Sequence, residues 1–328
     1  MNWNRARVRV VGGGIAGQVL RYELQVRGIP VKLDEKAIFP REKVCGGVLQ
    51  PDTWAYLRDA FHLEVESVSL PTVEYFAGKK RVSGFTLEEP MVYVSRFVLD
   101  HTLDQATSRD EWAIRQDGQD DALTVSASGV GKAGGEWLGF QCEGPYAPGL
   151  RMYFGNGIYA GSAPQPGLAS NHIGFLLRAE LYRGPENLKQ MFEDEFGIAL
   201  RGPLKGTPKI HYGYTGQTLA VGDAMMTTHP FLGLGMKHAV ESARLLAEMI
   251  AEGDWERYPM EHRRRFKRMA NLSGWFQQVY GSRFFGPVLP WIVAHRRMFR
   301  QLYKYGHTPG FERVHEIASR RNGARNDG

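Results

Sequence analysis

The sequence of 328 residues is poor in the features that mark secreted, metal-binding or membrane-spanning chains. Its two cysteines, Cys45 and Cys142, are too few for a disulfide framework or a zinc site and suit a reducing compartment. No apolar run approaches the roughly 18 residues needed to cross a bilayer. Neither a metal-ligand spacing nor a Ser-His-Asp arrangement is visible, so no metal is expected. The first expected strand begins within a few residues of Met1. That leaves no room for a signal or transit peptide, and a cytoplasmic location is the expectation. With 43% hydrophobic and 23% charged residues the chain is ordinary globular material, enough for one extended α/β domain or two joined ones. The net charge of +6 is largely local. Arg263, Arg264, Arg265, Lys267 and Arg268 crowd one stretch, and Arg320, Arg321 and Arg325 another. A solvated helix face accounts for this, with an anionic membrane surface as the alternative; no nucleic-acid motif accompanies the charge.

Glycine, by contrast, is abundant, and its first cluster is informative. Within Arg7 to Glu35, Val8, Val10 and Val11 form a β-branched run, and Gly12, Gly14 and Gly17 supply a G-x-G-x-x-G spacing. Ile15, Val19, Leu20 and Leu24 give a helical apolar stripe that stops at Gly28, and Val31 and Leu33 start a second strand. In this pattern the first glycine permits a tight turn, the second lets backbone N–H groups approach a diphosphate, and the third lets helix and strand pack closely, with Ala16 between them. The helix N-terminus adds a partial positive charge. An acid about 20 residues on completes the pattern by accepting from a ribose. Asp34 and Glu35 are both candidates, and alternation with Val31 and Leu33 favours Glu35, followed by Lys36. The unit predicts a dinucleotide site.

The next segment, P-R-E-K-V-C-G-G, carries Arg41, Lys43, Cys45, Gly46 and Gly47, and Pro51 is placed to open a helix through Trp54 and Leu57. Standing directly after a dinucleotide unit, it resembles the geranylgeranyl reductase-like branch of the FAD-dependent oxidoreductases related to p-hydroxybenzoate hydroxylase. The resemblance implies that this segment lies near the flavin ring and that its glycines keep side chains away from it. Cys45 is either a reactive thiol beside the flavin or a small buried hydrophobe. VSRFVLDHTLDQA resembles the family's R-x-x-L-D-x-x-L element, which implies that Arg96 contacts the cofactor; Phe97, Leu99 and Leu103 form its apolar spacing. Leu219 to Ile250 resembles the G-D-A…P-x-x-G-x-G element. This implies that Gly222 and Asp223 bind the ribityl chain and that Pro230, Gly233, Gly235 and Met236 lead a helix N-terminus to the flavin pyrimidine. His229 in that loop has either a polarising role at the ring or an ordinary hydrogen bond. At Ser128-Gly129 related hydroxylases carry Asp-Gly, serving flavin and nicotinamide. The W-x-W-x-I-P signature of flavin halogenases is absent, and Tyr159 to Pro164 stands where the reductases have a Y-x-W-x-F-P-like motif.

Alternating patterns from Phe61 to Val94 and strand-like pieces from Trp137 to Leu177 suggest a second sheet, while Ser108 to Asp121 reads as loop. The expected architecture is α/β: a Rossmann-like FAD-binding domain of glutathione-reductase type, an interleaved antiparallel-sheet substrate domain and C-terminal helices. The expected segments are 1–60, 97–130 and 205–250 for FAD, 61–96 and 131–204 for substrate, 251–315 for a helical cap and 316–328 for a disordered tail. The aromatic and basic composition of that cap suits either a packed lid over an apolar cavity or an interfacial helix on lipid headgroups. The resemblance implies FAD reduced by NAD(P)H or another reductant. The expected reaction is reduction of a carbon–carbon double bond in an isoprenoid or polyketide lipid, with hydroxylation of an aromatic or quinone-like ring as the alternative.

Overall fold

The computed structural model describes residues 7–107, 122–129, 135–210, 212–281, 295 and 297. Strand β1 (Val8–Val11) leads through the glycine turn into helix α1 (Ile15–Val26), and β2 (Val31–Asp34) follows. Val8 and Val10 are fully buried on one side of β1, and Val19, Leu20 and Leu24 bury the facing stripe of α1. Further along come β3 (Val48–Leu49), α2 (Pro51–Phe61), β4 (Val68–Ala77), β5 (Lys80–Tyr93), α3 (Arg96–Thr107) and β6 (Leu123–Ser126). β1 pairs in parallel with β2 on one side and β6 on the other. A parallel bridge from Ser126 to Ala220 adds a fourth position to this sheet. The Leu219 segment makes a single bridge before Gly222 turns the chain away.

The second sheet is built by β7 (Trp137–Pro145), β8 (Leu150–Gly155), β9 (Ile158–Pro164), β10 (Ser170–Arg178) and β11 (Arg201–Gly206), with α4 (Pro185–Phe196) packed on it. Its order is β11-β7-β10-β9-β8-β4-β5-β3. The expectation of an antiparallel sheet needs correction, because β4 and β8 run parallel. Parallel neighbours need a long crossover, and the excursion through α3 and β6 supplies it. Two strands also cross the expected segment limits: β3 lies within 1–60 yet pairs with β5, and β11 extends the sheet to Gly206. The remaining elements are β12 (Gly213–Tyr214), β13 (Met226–Thr227), α5 (Leu234–Glu252) and α6 (Tyr258–Gly281).

Other expectations shift for physical reasons. Phe61 ends α2 rather than opening a strand, because the Pro51 start carries the helix to His62 in the left-handed conformation. Phe97, placed on the apolar stripe of α3, is 40% exposed, while Leu99 and Leu103 of that stripe are buried. The Ser108 to Asp121 loop, the tail and most of the cap beyond residue 281 lie outside the described residues. No helix among the described residues is long and apolar enough to cross a membrane.

Candidate functional site

The crevice between the two sheets begins at the glycine turn. Gly12 has φ +115°, and a Cβ there would meet the Ala127 carbonyl at 2.5 Å. A Cβ on Gly17 would lie 1.9 Å from the Gly12 carbonyl oxygen, so only glycine lets α1 sit this close to β1. Gly14 caps α1 without a side-chain hydrogen bond, and no acid occupies the first turn. A Cβ on Gly14 would point toward Arg41 Nη2 and Lys43 Nζ, each 3.8 Å away. Exposed helix N–H groups facing two cations form an anion cradle.

Glu35 flanks it. Its carboxylate accepts from the Gly13 N–H at 2.8 Å, the Ala37 N–H at 2.9 Å and Arg41 at 3.3 Å. Burial pushes its pKa up, but those donors outweigh burial and hold it below the ordinary glutamate range. Asp34 instead turns outward to Arg9. Lys36 is exposed.

The strap from Arg41 to Gly47 crosses the crevice. Arg41 Nη1 lies 3.5 Å from Asp100, which also takes a two-pronged contact from Arg96 at 2.8 and 2.9 Å. Arg96 is buried on this pairing and also reaches Cys45; the neighbouring acid holds its pKa up against burial. Lys43 makes no hydrogen bond or ion pair among the described residues. Burial and the nearby Arg96 lower its pKa, while Asp223 and Asp100 pull the other way. Its ammonium also lies 3.9 Å from where a Gly129 Cβ would be, so one side chain borders Gly14, Gly129 and Asp223. Lys43 stood in the quoted motif without a role assigned to it; a lysine between two glycines and an aspartate far along the chain becomes visible only in three dimensions.

The later motif closes the crevice. Gly222, at φ +59°, has no room for a Cβ because Ala16 lies 2.9 Å from that position. Its N–H donates to Ser242 at 2.9 Å. At the neighbouring Asp223 burial raises the pKa against the pull of Lys43 and Arg96. The N-terminus of α5 is capped by Gly233 with no side-chain bond and no acid in its first turn. Gly233 faces the Val48 carbonyl, Gly235 faces Thr228, Met236 is buried and Pro230 is exposed. Gly14, Gly129 and Asp223, distant in sequence, thus border Lys43 in one crevice, and the α5 start lies beside Val48 at the end of the strap.

His229 is not part of it. The side chain is 4% exposed, stacks on Phe276 at 5.8 Å and lies beside Tyr212 and Tyr159. Its Nδ1 accepts from the Phe231 N–H, and burial drives its pKa to about 3. Of the two readings of His229, its surroundings match the ordinary hydrogen bond.

Cys45 lines a cavity of about 130 Å3 together with Lys43, Tyr93, Gln141, His172 and Lys205. Its Sγ receives the Gly47 N–H at 3.5 Å, and the half-buried side chain packs against the core while also meeting Arg96. Burial lowers the His172 pKa, and its Nε2 lies 2.7 Å from the Cys45 carbonyl oxygen. Charged and polar side chains line it together with Tyr93, Phe97 and Cys142, and the space holds about one ring, since a cavity of roughly 150 Å3 accepts benzene.

The residues of the crevice fit FAD. Two uncapped helix N-termini, an ammonium unpaired among the described residues at the glycine cradle, and the acids Glu35 and Asp223 are the donor and acceptor types that a diphosphate, a ribose and a ribityl chain require. No protein-family model and no curated protein sequence matches the chain. Solved structures do. The flavin-dependent brominase Bmp2, as a triple mutant, superposes with a TM-score of 0.71 at 16% identity, covering 95% of this chain and 99% of its own. PqsL of Pseudomonas aeruginosa, described as a probable FAD-dependent monooxygenase, gives 0.64 at 17% identity, covering 92% and 100%. The 2,6-dihydroxypyridine-3-hydroxylase of Arthrobacter nicotinovorans gives 0.61 at 16%, covering 84% and 92%. The chain has the fold of these flavin-dependent brominase and hydroxylase structures.

Proposed function

We propose that the protein is an FAD-dependent monooxygenase that hydroxylates a small aromatic or quinone-like substrate. The carrying observation is the junction of Gly14, Lys43 and Asp223 around one crevice that opens onto a ring-sized, polar-walled cavity. Reduction of a long lipid, the first expectation from sequence, calls for an extended apolar tunnel, and the polar wall argues for the alternative. The names of the similar folds support the same direction: one is a hydroxylase of a dihydroxypyridine, and PqsL has been seen with 2-aminobenzoylacetate.

In this reading the Gly12 to Gly14 turn and the α1 N-terminus hold the diphosphate, with Lys43 as its counter-charge. Glu35 accepts from the adenosine ribose, Asp223 accepts from the ribityl chain, and the α5 N-terminus faces the pyrimidine edge. FAD, once bound and reduced, supplies the two electrons and the reaction with O2. The protein excludes side chains at Gly46 and Gly47, orients the ring substrate against the polar wall and balances negative charge with the α5 dipole. With Ser128 in the position of the related aspartate, the electron source is NAD(P)H or a separate reductant, and anaerobic bleaching of bound FAD by NADPH separates the two. The outward face of α6, which presents Arg263, Lys267 and Trp275, supports peripheral contact with an anionic bilayer surface. Salt-sensitive sedimentation with phosphatidylglycerol vesicles tests it.

The decisive experiment loads the protein with FAD and supplies 18O2, a reductant and a panel of phenols and aminobenzoyl compounds. Heavy oxygen in the product is expected. Reductant-derived deuterium in a saturated product would reinstate the reductase, and a colourless protein that binds no FAD at micromolar concentration would remove both.

A further inference from the structure

We propose that Gln141 and His172, on the substrate sheet, are positioning residues for the cofactor: they hold the Arg41–Gly47 strap by its backbone and so set where Lys43 and the two glycines sit. The inference rests on the FAD reading above. In the β7–β10 pair Gln141 stands directly opposite Gly174, and His172 lies two residues before Gly174 on the same face. These three positions make a cradle. The Gln141 Oε1 accepts from the Cys45 N–H at 3.1 Å, and His172 Nε2 donates to the Cys45 carbonyl at 2.7 Å. Between them Gly174 leaves the space into which Gly46 fits: a Cβ there would meet Gly46 Cα at 2.9 Å and Gly46 N at 3.1 Å. The amide of Gln141 is completed by donation to Glu42 at 3.0 Å, which fixes its orientation.

Apart from the Glu42 side chain, these contacts address the main chain of the strap. The side chains of Lys43 and Cys45 are left to the crevice, where Lys43 borders Gly14 and Asp223. The far end is pinned as well, because the Val94 N–H donates to the Gly47 carbonyl at 2.9 Å and Val48 pairs with Tyr93. A strap held at both ends by the sheet transmits a small shift at β7 or β10 directly to the ammonium at the glycine cradle.

The test compares wild type, Gln141→Ala, His172→Ala, His172→Gln and Gly174→Ala by FAD dissociation constant, visible circular dichroism of bound FAD and apoprotein melting. Loss of one neutral hydrogen bond to the strap corresponds to about a fivefold rise in Kd. Both alanine variants are expected to show it with an altered visible dichroism, Gly174→Ala to exceed it, and His172→Gln, which keeps a donor for the Cys45 carbonyl, to restore the wild-type spectrum. Unchanged Kd and dichroism in Gln141→Ala and His172→Ala overturn the proposal, as does His172→Gln matching His172→Ala. Should an alanine variant not fold, Gly174→Ala decides, and a wild-type Kd there overturns it. Wild type that binds no FAD overturns the functional reading itself, a result separate from variants that bind it normally.

Discussion

The cofactor crevice and the aromatic packing behind the substrate sheet are built from opposite materials. Behind the sheet rings meet rings: Phe175 and Phe192 at 5.0 Å, Phe192 and Phe196 at 4.8 Å, Phe140 and Phe175 at 5.4 Å. In the crevice Arg96 and Asp100 pair directly, whereas Lys43 has no counter-ion in contact among the described residues. The first region is complete by itself and sets the shape. The second gains its balance only when an anion arrives, so ligand affinity and fold stability are written in different residues.

The sharpest test of that division is Gly17→Ala. With 1.9 Å to the Gly12 carbonyl it forces α1 off β1, and loss of cooperative folding together with FAD binding is expected by circular dichroism. Phe192→Ala removes a fully buried ring from the aromatic side and should cost about 3–5 kcal/mol in denaturant unfolding. Its FAD Kd should stay within twofold of wild type; a tenfold change would break the comparison. Acid acts on the interior next. His229 and His238 are held near pKa 3 and His262 near 2 by burial, all below the unfolded value of about 6.5. Their neutral burial contributes fully above about pH 6.5. Between there and pH 3 the unfolded chain takes up protons that the folded chain refuses, so stability falls with pH by up to about 1.4 kcal/mol per unit for each histidine. A melting temperature flat from pH 7 to pH 4.5 would contradict this. Lys43→Met should raise the FAD Kd about tenfold and flatten its salt dependence, without lowering the melting point of the apoprotein. Ile38→Ser, at a residue 91% exposed, should change stability by less than about 0.5 kcal/mol.

What the sequence made legible was local. The glycine turn, the acid after β2 and the Gly222-Asp223 pair each carry their chemistry within a short window, and each borders the crevice. Non-local facts were hidden. The parallel pairing of β4 with β8 depends on what the intervening chain does, and a two-residue edge strand such as β3 has no periodicity to read. His229 illustrates the limit, because proximity in sequence to Pro230 and Gly233 said nothing about the rings of Tyr159, Tyr212 and Phe276 that enclose it. Gln141 and His172 read as ordinary alternating positions of strands. Their partners are backbone atoms nearly a hundred residues or more earlier, and no pattern of side chains announces a bond to a main-chain carbonyl.

The order in which the chain visits the crevice has a practical consequence. Its walls come from the first strand–helix unit, then from α3 and β6, and last from Gly222 onward, with sheet-forming stretches between. Cutting the gene anywhere in those stretches yields two polypeptides, each with part of the pocket and half-finished sheet edges. Expressed separately, such fragments should be insoluble and should not take up colour. Co-expressed, they would regain it only by assembling with each other, which makes the protein a natural candidate for a split reporter whose signal is its own pigment.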